Sequence, residues 1–232
     1  RFFYYIKNKL TFVEKYKPMK KIILTLLAIT AFNTTNAQTD KAKSNNVKFG
    51  LKAGLNIANL NFSGDVTPST KAIPNLHIGA FLEVGINQKW AFQPELIYSM
   101  QGAKFDLVYV DGTDVYNTEN TFKLNYLNIP LMFKYTENKL FFEAGPQIGF
   151  LTSAKLKVRV EGLGSDEQDA KEIFKEIDYG LNFGVGYNFS EQLAANVRYN
   201  IGLNNIAETE PGDNTKAKNG VFSFSLAYKF KQ

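Results

Sequence analysis

Between positions 221 and 230, Phe222, Phe224, Leu226, Tyr228 and Phe230 alternate with Ser223, Ser225, Ala227 and Lys229. A period of two is that of a strand, whose successive side chains point to opposite faces. Seven earlier segments, rich in aromatic and β-branched residues, read the same way: 47–57, 76–86, 90–101, 124–135, 140–151, 177–189 and 193–203. All eight, the last included, are long enough to cross a bilayer when tilted, which takes about 9–11 residues. Their connections alternate in length. Short turns fall at 87–89, 136–139 and 190–192, and longer polar stretches at 58–75, 102–123, 152–176 and 204–220. An even number of strands with short turns at one end and long loops at the other is the pattern of an outer-membrane barrel.

The two faces differ in chemistry. One row, running from Phe49, Leu51 and Leu55 through Ile78, Leu82, Leu96, Phe133, Phe142, Phe183 and Val197 to Leu226, carries no charge. The other holds Lys48, Lys52, Glu83, Glu95, Lys134, Glu143, Asp178, Arg198 and Lys229, five cations against four anions, with Asn, Gln, Ser and many glycines between them. Small residues suit a crowded concave interior, because about eight strands leave a lumen only just wide enough to be filled by side chains. On a solvated surface the same glycines would weaken the strands without a packing reason. The polar row is therefore expected inside and the apolar row against lipid, in an all-β, eight-stranded, antiparallel, up-and-down transmembrane β-barrel. Trp90, Phe92, Tyr135, Tyr187, Phe189, Tyr228 and Phe230 would form an aromatic girdle at the short-turn end. Pro94, Pro130 and Pro146 each remove a ladder donor, so bulges or irregularities are expected near them. Gly54, Gly145 and Gly149 are expected to make room for longer side chains across the lumen.

Charge adds a second feature. The formal net charge is +5, yet residues 1–37 hold 7 basic and 1 acidic side chains, which leaves 20 basic and 21 acidic residues after them. The basicity belongs to the leader, and a nucleic-acid footprint loses its main support. Residues 19–37 open with Met19, Lys20 and Lys21, continue through an apolar run from Ile22 to Phe32, and end on Thr35-Asn36-Ala37. That is the form of a secretory signal peptide, with an apolar run too short to span a bilayer as a helix. Residues 1–18 then read as an upstream, non-native extension, 38–46 as a short polar lead, and 47–232 as the barrel domain. The chain has no Cys, which excludes disulfides, thiolate metal sites and a cysteine nucleophile.

The blocks GLKAGLNIANL (50–60), FQPELIYSMQGAKF (92–105), YLNIPLMFKY (126–135), FFEAGPQIGFL (141–151), DYGLNFGVGYNF (178–189) and RYNIGLNNI (198–206) stand in order along nearly the whole mature chain. Together they resemble the small outer-membrane β-barrel domain of Bacteroidota often labelled the PorT family. The resemblance implies the fold and the membrane and little about activity, since that group holds members without known roles beside one implicated in type IX secretion and gliding. The last strand also resembles the C-terminal aromatic signal read by the outer-membrane insertion machinery, although Lys231 and Gln232 follow Phe230.

The nine inward charges are expected to form a structural ion-pair network that plugs the lumen, because buried charges must be paired to be tolerated. Ordinary hairpin pairing would set His77, the only histidine, across from Ser99 near the extracellular rim, with Glu95 one step below. A His, a Ser and a carboxylate can make a hydrolytic constellation, but these would face the lumen rather than the outer leaflet, so a rim hydrogen bond is expected. In the stretch 162–178, the spacing of Ile173, Phe174 and Ile177 predicts a short helix. It lacks the acid–Gly spacing of a calcium loop, and no phosphate-cradling, zinc or dinucleotide motif is present elsewhere. The expectation is a non-enzymatic outer-membrane protein without a cofactor, in a structural or interaction role. Its partners would be outer-membrane lipid, the insertion machinery during assembly, and envelope proteins met through the long loops, with no nucleic acid among them. The alternatives are an accessory of type IX secretion, a soluble lipocalin-like carrier with an apolar cavity, and an outer-membrane lipid hydrolase.

Overall fold

The computed structural model describes residues 47–111, 114–160 and 164–231; the leader at 19–37 and the segments around it lie outside the described residues. The chain forms β1 (Val47–Ser63), β2 (Thr70–Gly85), β3 (Trp90–Asp111), β4 (Asp114–Glu137), β5 (Leu140–Val160), β6 (Gly164–Asp169), a 3-10 turn (Lys171–Ile173), β7 (Ile177–Asn188), β8 (Leu193–Gly202) and β9 (Lys216–Lys229). Eight strands form a closed antiparallel ring in the order β1-β2-β3-β4-β5-β7-β8-β9, and β9 returns to β1 with Leu51 opposite Tyr228 and Leu55 opposite Phe224. β6 stands outside the ring, paired to the outer end of β5. Among the described residues no helix is long and apolar enough to cross a membrane; strands take that role.

The ring fixes the facing of the sheet. Lys52, Glu95, Lys134, Glu143, Arg198 and Lys229 are buried, while their neighbours Leu51, Leu96, Phe133, Phe142, Val197 and Tyr228 are exposed. Ile78 and Leu226 are 63% and 61% exposed, which in a folded protein requires an apolar surrounding. The lipocalin-like arrangement, with the uncharged row inside, is thereby excluded. Exposed aromatic pairs gather at the short-turn end, with ring centroids 5.0 Å apart for Trp90–Tyr135, 5.3 Å for Tyr187–Phe189 and 5.5 Å for Phe49–Phe230.

Much of what reads as long polar loop is strand. β3 and β4 stay paired out to Asp111 and Asp114, and β1 stays paired with β9 out to Ser63 and Lys216. The alternation continues beyond the lipid zone with its chemistry reversed. On β1 the outward residues change from Leu55 and Ile57 to Asn59, Asn61 and Ser63, while the inward ones change from Lys52 and Asn56 to Ala58 and Leu60. Water outside and a dry mouth inside demand that inversion. The short helix expected in 162–178 is likewise replaced by β6 and the single 3-10 turn. Lys155 and Lys157 of β5 stand opposite Asp169 and Glu167 of β6, a cross-strand pairing of opposite charges that favours a hairpin.

Proline acts more mildly than expected. The β3–β4 register is the same on both sides of Pro94 and Pro130, although the pairing lapses beside them, and Pro146 keeps its place on the β5–β7 ladder. The register shifts lie elsewhere, between Ala72 and His77 on β2, a stretch that contains Pro74, and on β5 between Leu151 and Ser153. At the second of these Thr152 Oγ1 donates to the Asn125 carbonyl at 2.9 Å. Gly149 lies against the Asn128 side chain, whereas a Cβ on Gly145 would meet the Leu131 carbonyl oxygen at 2.0 Å and one on Gly54 the Phe224 carbonyl oxygen at 1.9 Å before the His77 ring at 2.8 Å, so these two glycines allow strands to approach rather than only a side chain to pass.

Two further glycines set the packing of the lower lumen. A Cβ at Gly50 would stand 2.2 Å from Phe81 Cζ, and one at Gly186 2.1 Å from Phe141 Cζ. G186V is therefore expected to lower unfolding stability in lipid vesicles by about 1–3 kcal/mol, the usual cost of overpacking, as measured by urea titration. A variant with wild-type stability would contradict this packing.

Candidate functional site

In the lumen buried ionisable groups converge from several strands, because the inward residues of each strand recur every second position. At the centre Arg198 on β8 reaches across the barrel to Glu95 on β3 with a bidentate pair, Nη1 to Oε2 at 2.9 Å and Nη2 to Oε1 at 2.8 Å. Its Nε donates to Glu143 Oε1 at 2.9 Å. Lys52 donates to Glu95 Oε1 at 2.8 Å, Gln93 adds a bond to the same oxygen at 2.7 Å, and Asn196 donates to Glu143 at 2.6 Å. Two cations thus meet two carboxylates, and each carboxylate accepts one further bond from an amide, which helps a buried ion cluster to be tolerated.

A second cluster lies toward the short turns. Lys134 and Lys229 both donate to Glu83, at 2.8 Å and 3.0 Å. Phe81 and Phe141 pack with Ala194 and Ala227, and the Lys134 ammonium sits 3.9 Å from the centre of the Phe141 ring, a cation–π contact. The nine predicted charges therefore do not form one network. Seven join in two clusters, while Lys48 and Asp178 have no ion pair among the described residues. Asp178 accepts instead from Asn219 Nδ2 at 2.8 Å.

His77 does stand opposite Ser99 in the β2–β3 register. Its ring nitrogens contact Asn56 Oδ1 and Ser225 Oγ, each at 2.9 Å, while Ser99 Oγ receives bonds from Asn56 Nδ2 at 3.0 Å and Gln101 Nε2 at 3.1 Å. Asn56 thus separates the two, and no hydrogen bond joins His77 to Ser99; the serine against the ring is Ser225. The site is not at an open rim either, because both residues are buried beneath further apolar layers. Those layers are absent from the sequence expectation. Ile173 and Phe174 from the turn region and Ile206 and Ala207 after β8 pack in the mouth against Leu60, Phe105, Phe122, Leu124 and Leu151. The two connections are tied by Lys175 N donating to the Ile206 carbonyl at 2.8 Å and Glu208 N to the Ile173 carbonyl at 3.0 Å. The apolar letters at 173–174 and 206–207 were the available signal, but only the fold shows that two connections close one mouth.

The space left at the centre is small. The cavity among Lys52, His77, Glu95, Gln147 and Arg198 measures about 30 Å³, more than the ~10–15 Å³ that holds one water. No group of three or more His, Cys, Asp or Glu side chains among the described residues is disposed to hold a metal ion. On the outer surface Glu167 of β6 bridges Lys123 of β4 at 2.5 Å and Lys155 of β5 at 2.8 Å.

The two clusters and the bridge give separate expectations. R198A leaves two buried carboxylates short of a cation and should cost about 3–5 kcal/mol. K71A breaks the exposed Lys71–Asp106 pair, which solvent screens, and should leave the unfolding midpoint almost unchanged. Urea unfolding of both variants checks the contrast, and equal effects would contradict it. Hydrogen bonds from Lys123 and Lys155 lower the Glu167 carboxyl from its ordinary value near 4.5 to about 2. A depressed acid stabilises above its unfolded value and loses that contribution as pH falls through the folded one. Amide exchange across β6, corrected for intrinsic rates, should therefore gain little between pH 7 and 5 and quicken from about pH 4.5 toward 2; K123Q/K155Q should remove the pH dependence.

A family model described as outer membrane protein beta-barrel domain matches residues 36–208. Among solved structures, the chain is similar to Ail, the attachment invasion locus protein of Yersinia pestis, with 13% identity over 79% of this chain and 98% of that one and a TM-score of 0.40. It is similar to Neisserial surface protein A at 13% identity, 78% and 97% coverage and a TM-score of 0.41. It is also similar to OprG from Pseudomonas aeruginosa at 14% identity, 81% and 98% coverage and a TM-score of 0.39. No curated protein matches.

Proposed function

The chain belongs to the outer membrane protein beta-barrel domain family, and from that premise we propose that it is a non-enzymatic envelope barrel with a closed lumen, acting through its surface. The observation that carries this reading is the filling of the interior. An ion cluster, an amide and hydroxyl network and an apolar mouth leave only a small central space of about 30 Å³. The strand extensions then supply the surface: the β3–β4 and β5–β6 hairpins project beyond the lipid zone and enclose a groove of about 690 Å³ lined by Asp106, Val108, Glu119, Arg159 and Val160. Envelope proteins met outside the cell are the partners this surface suits.

The finer parts of the reading rest on sequence. The ordered blocks from 50 to 206 support membership of the PorT-like group of Bacteroidota, and residues 19–37 support export by a cleaved signal peptide. Within that group an accessory role in type IX secretion is the second reading, favoured by the same blocks alone. Against a hydrolase, Ser99 accepts from two amides and has no base on it.

Purified protein inserted in a planar bilayer tests the closed lumen. Voltage ramps in concentrated KCl are expected to give no stable unitary steps, whereas regular ohmic steps would overturn the reading. K52Q/E95Q/E143Q/R198Q, which replaces all four central ions with amides, serves as a positive arm in which leak should rise.

A further inference from the structure

The ionic balance of the lumen changes along its axis. At the centre Lys52 and Arg198 match Glu95 and Glu143. Toward the short turns the balance fails. Lys134 and Lys229, both buried, share Glu83, and Lys48, which stands directly opposite Glu83 in the β1–β2 register, has no ion pair among the described residues. Three cations face one carboxylate where burial penalises unmatched charge.

The same end is open. A cavity of about 570 Å³ has Lys48, Glu83 and Lys229 on its inner side and Lys89, Trp90, Lys139 and Glu191 from the turns around its mouth. Lys89 is engaged by Glu137 at 2.6 Å, whereas Lys139 has no ion pair among the described residues. Four lysines therefore line this space against two carboxylates, and two of the four, Lys48 and Lys139, have no ion pair among the described residues. Lysine binds phosphate as a mobile point charge, and a partly enclosed, low-dielectric wall strengthens the field.

We propose that this mouth is a binding site for a phosphate-bearing anion, held between Lys48 and Lys229 inside and Lys139 at the rim. The excess of positive charge is what the ligand neutralises. Soluble phosphate compounds and the headgroups of anionic lipids in the adjacent leaflet share the required chemistry. The inference is independent of what the outer surface binds and of whether the centre conducts.

Trp90, the single tryptophan of the chain, lines the cavity and reports on it. Full-length protein folded in neutral detergent would be titrated with inorganic pyrophosphate while Trp90 emission is followed. A parallel arm compares emission in phosphatidylglycerol and phosphatidylcholine nanodiscs. A saturable change with pyrophosphate identifies a soluble anion, and a change confined to phosphatidylglycerol identifies a headgroup. In either case K48Q and K139Q should each weaken the response about tenfold, the usual effect of losing one charged contact. Both lysines lie outside the two ion clusters, so a retained far-UV strand spectrum is expected and verifies folding. Silence in both arms, or a response unchanged in K48Q and K139Q, would overturn the proposal.

Discussion

The closure of β9 onto β1 is the constraint on which everything else depends. Inside a bilayer no water is available to backbone N–H and C=O groups, so a sheet can cross only if its two edges pair with one another. Here the last strand runs along the first from Gly50–Lys229 out to Ser63–Lys216, well past the apolar band. Once the ring is closed, the pleat gives every strand one face for lipid and one for the lumen. The exposed row must then be free of charge, and the inner row must fill a narrow space.

Filling that space with polar groups is costly unless they satisfy one another, and the structure does this in layers. Arg198 supplies the span: its planar guanidinium joins Glu95 on the far side of the barrel to Glu143, two strands away across β7, a task for which the compact ammonium of lysine has no equivalent geometry. Glycine supplies the room. Gly184 lies so close to Glu143 that a Cβ would meet Oε1 at 2.8 Å, so the carboxylate takes the place of the missing side chain. Above the polar zone, Tyr126, Asp178 and Asn219 each keep a buried oxygen with no partner among the described residues. They lie where the polar layers give way to the apolar mouth.

The strands, their order and their facing were legible in the sequence because lipid enforces a strict period of two and a charge-free row over most of each strand. The same signal misleads beyond the membrane. At 58–63, 103–106 and 121–123 the alternation persists but its two faces exchange chemistry, so a rule that equates polar with loop ends the strands too early. The charged positions were legible, whereas their grouping was not, because pairing depends on which strands face one another across the barrel. Lys48 and Asp178 look identical in pattern to Lys52 and Glu143 and differ only in what lies opposite. Asn56, which parts His77 from Ser99, belongs to a third strand that pairwise hairpin register cannot bring in. The closing of the mouth by 173–174 and 206–207 depends on contacts between connections, where no periodicity helps.

The facing of the closed sheet is tested most directly by its last strand. The chain contains no Cys, so single cysteines placed in turn at positions 222 to 228 carry a spin label without background, in protein folded into lipid vesicles. Collision with lipid-dissolved oxygen, measured by power saturation, is expected to be high at 222, 224, 226 and 228 and low at 223, 225 and 227. The opposite phase would mean a barrel turned inside out, and no alternation would mean that β9 is not a lipid-facing strand.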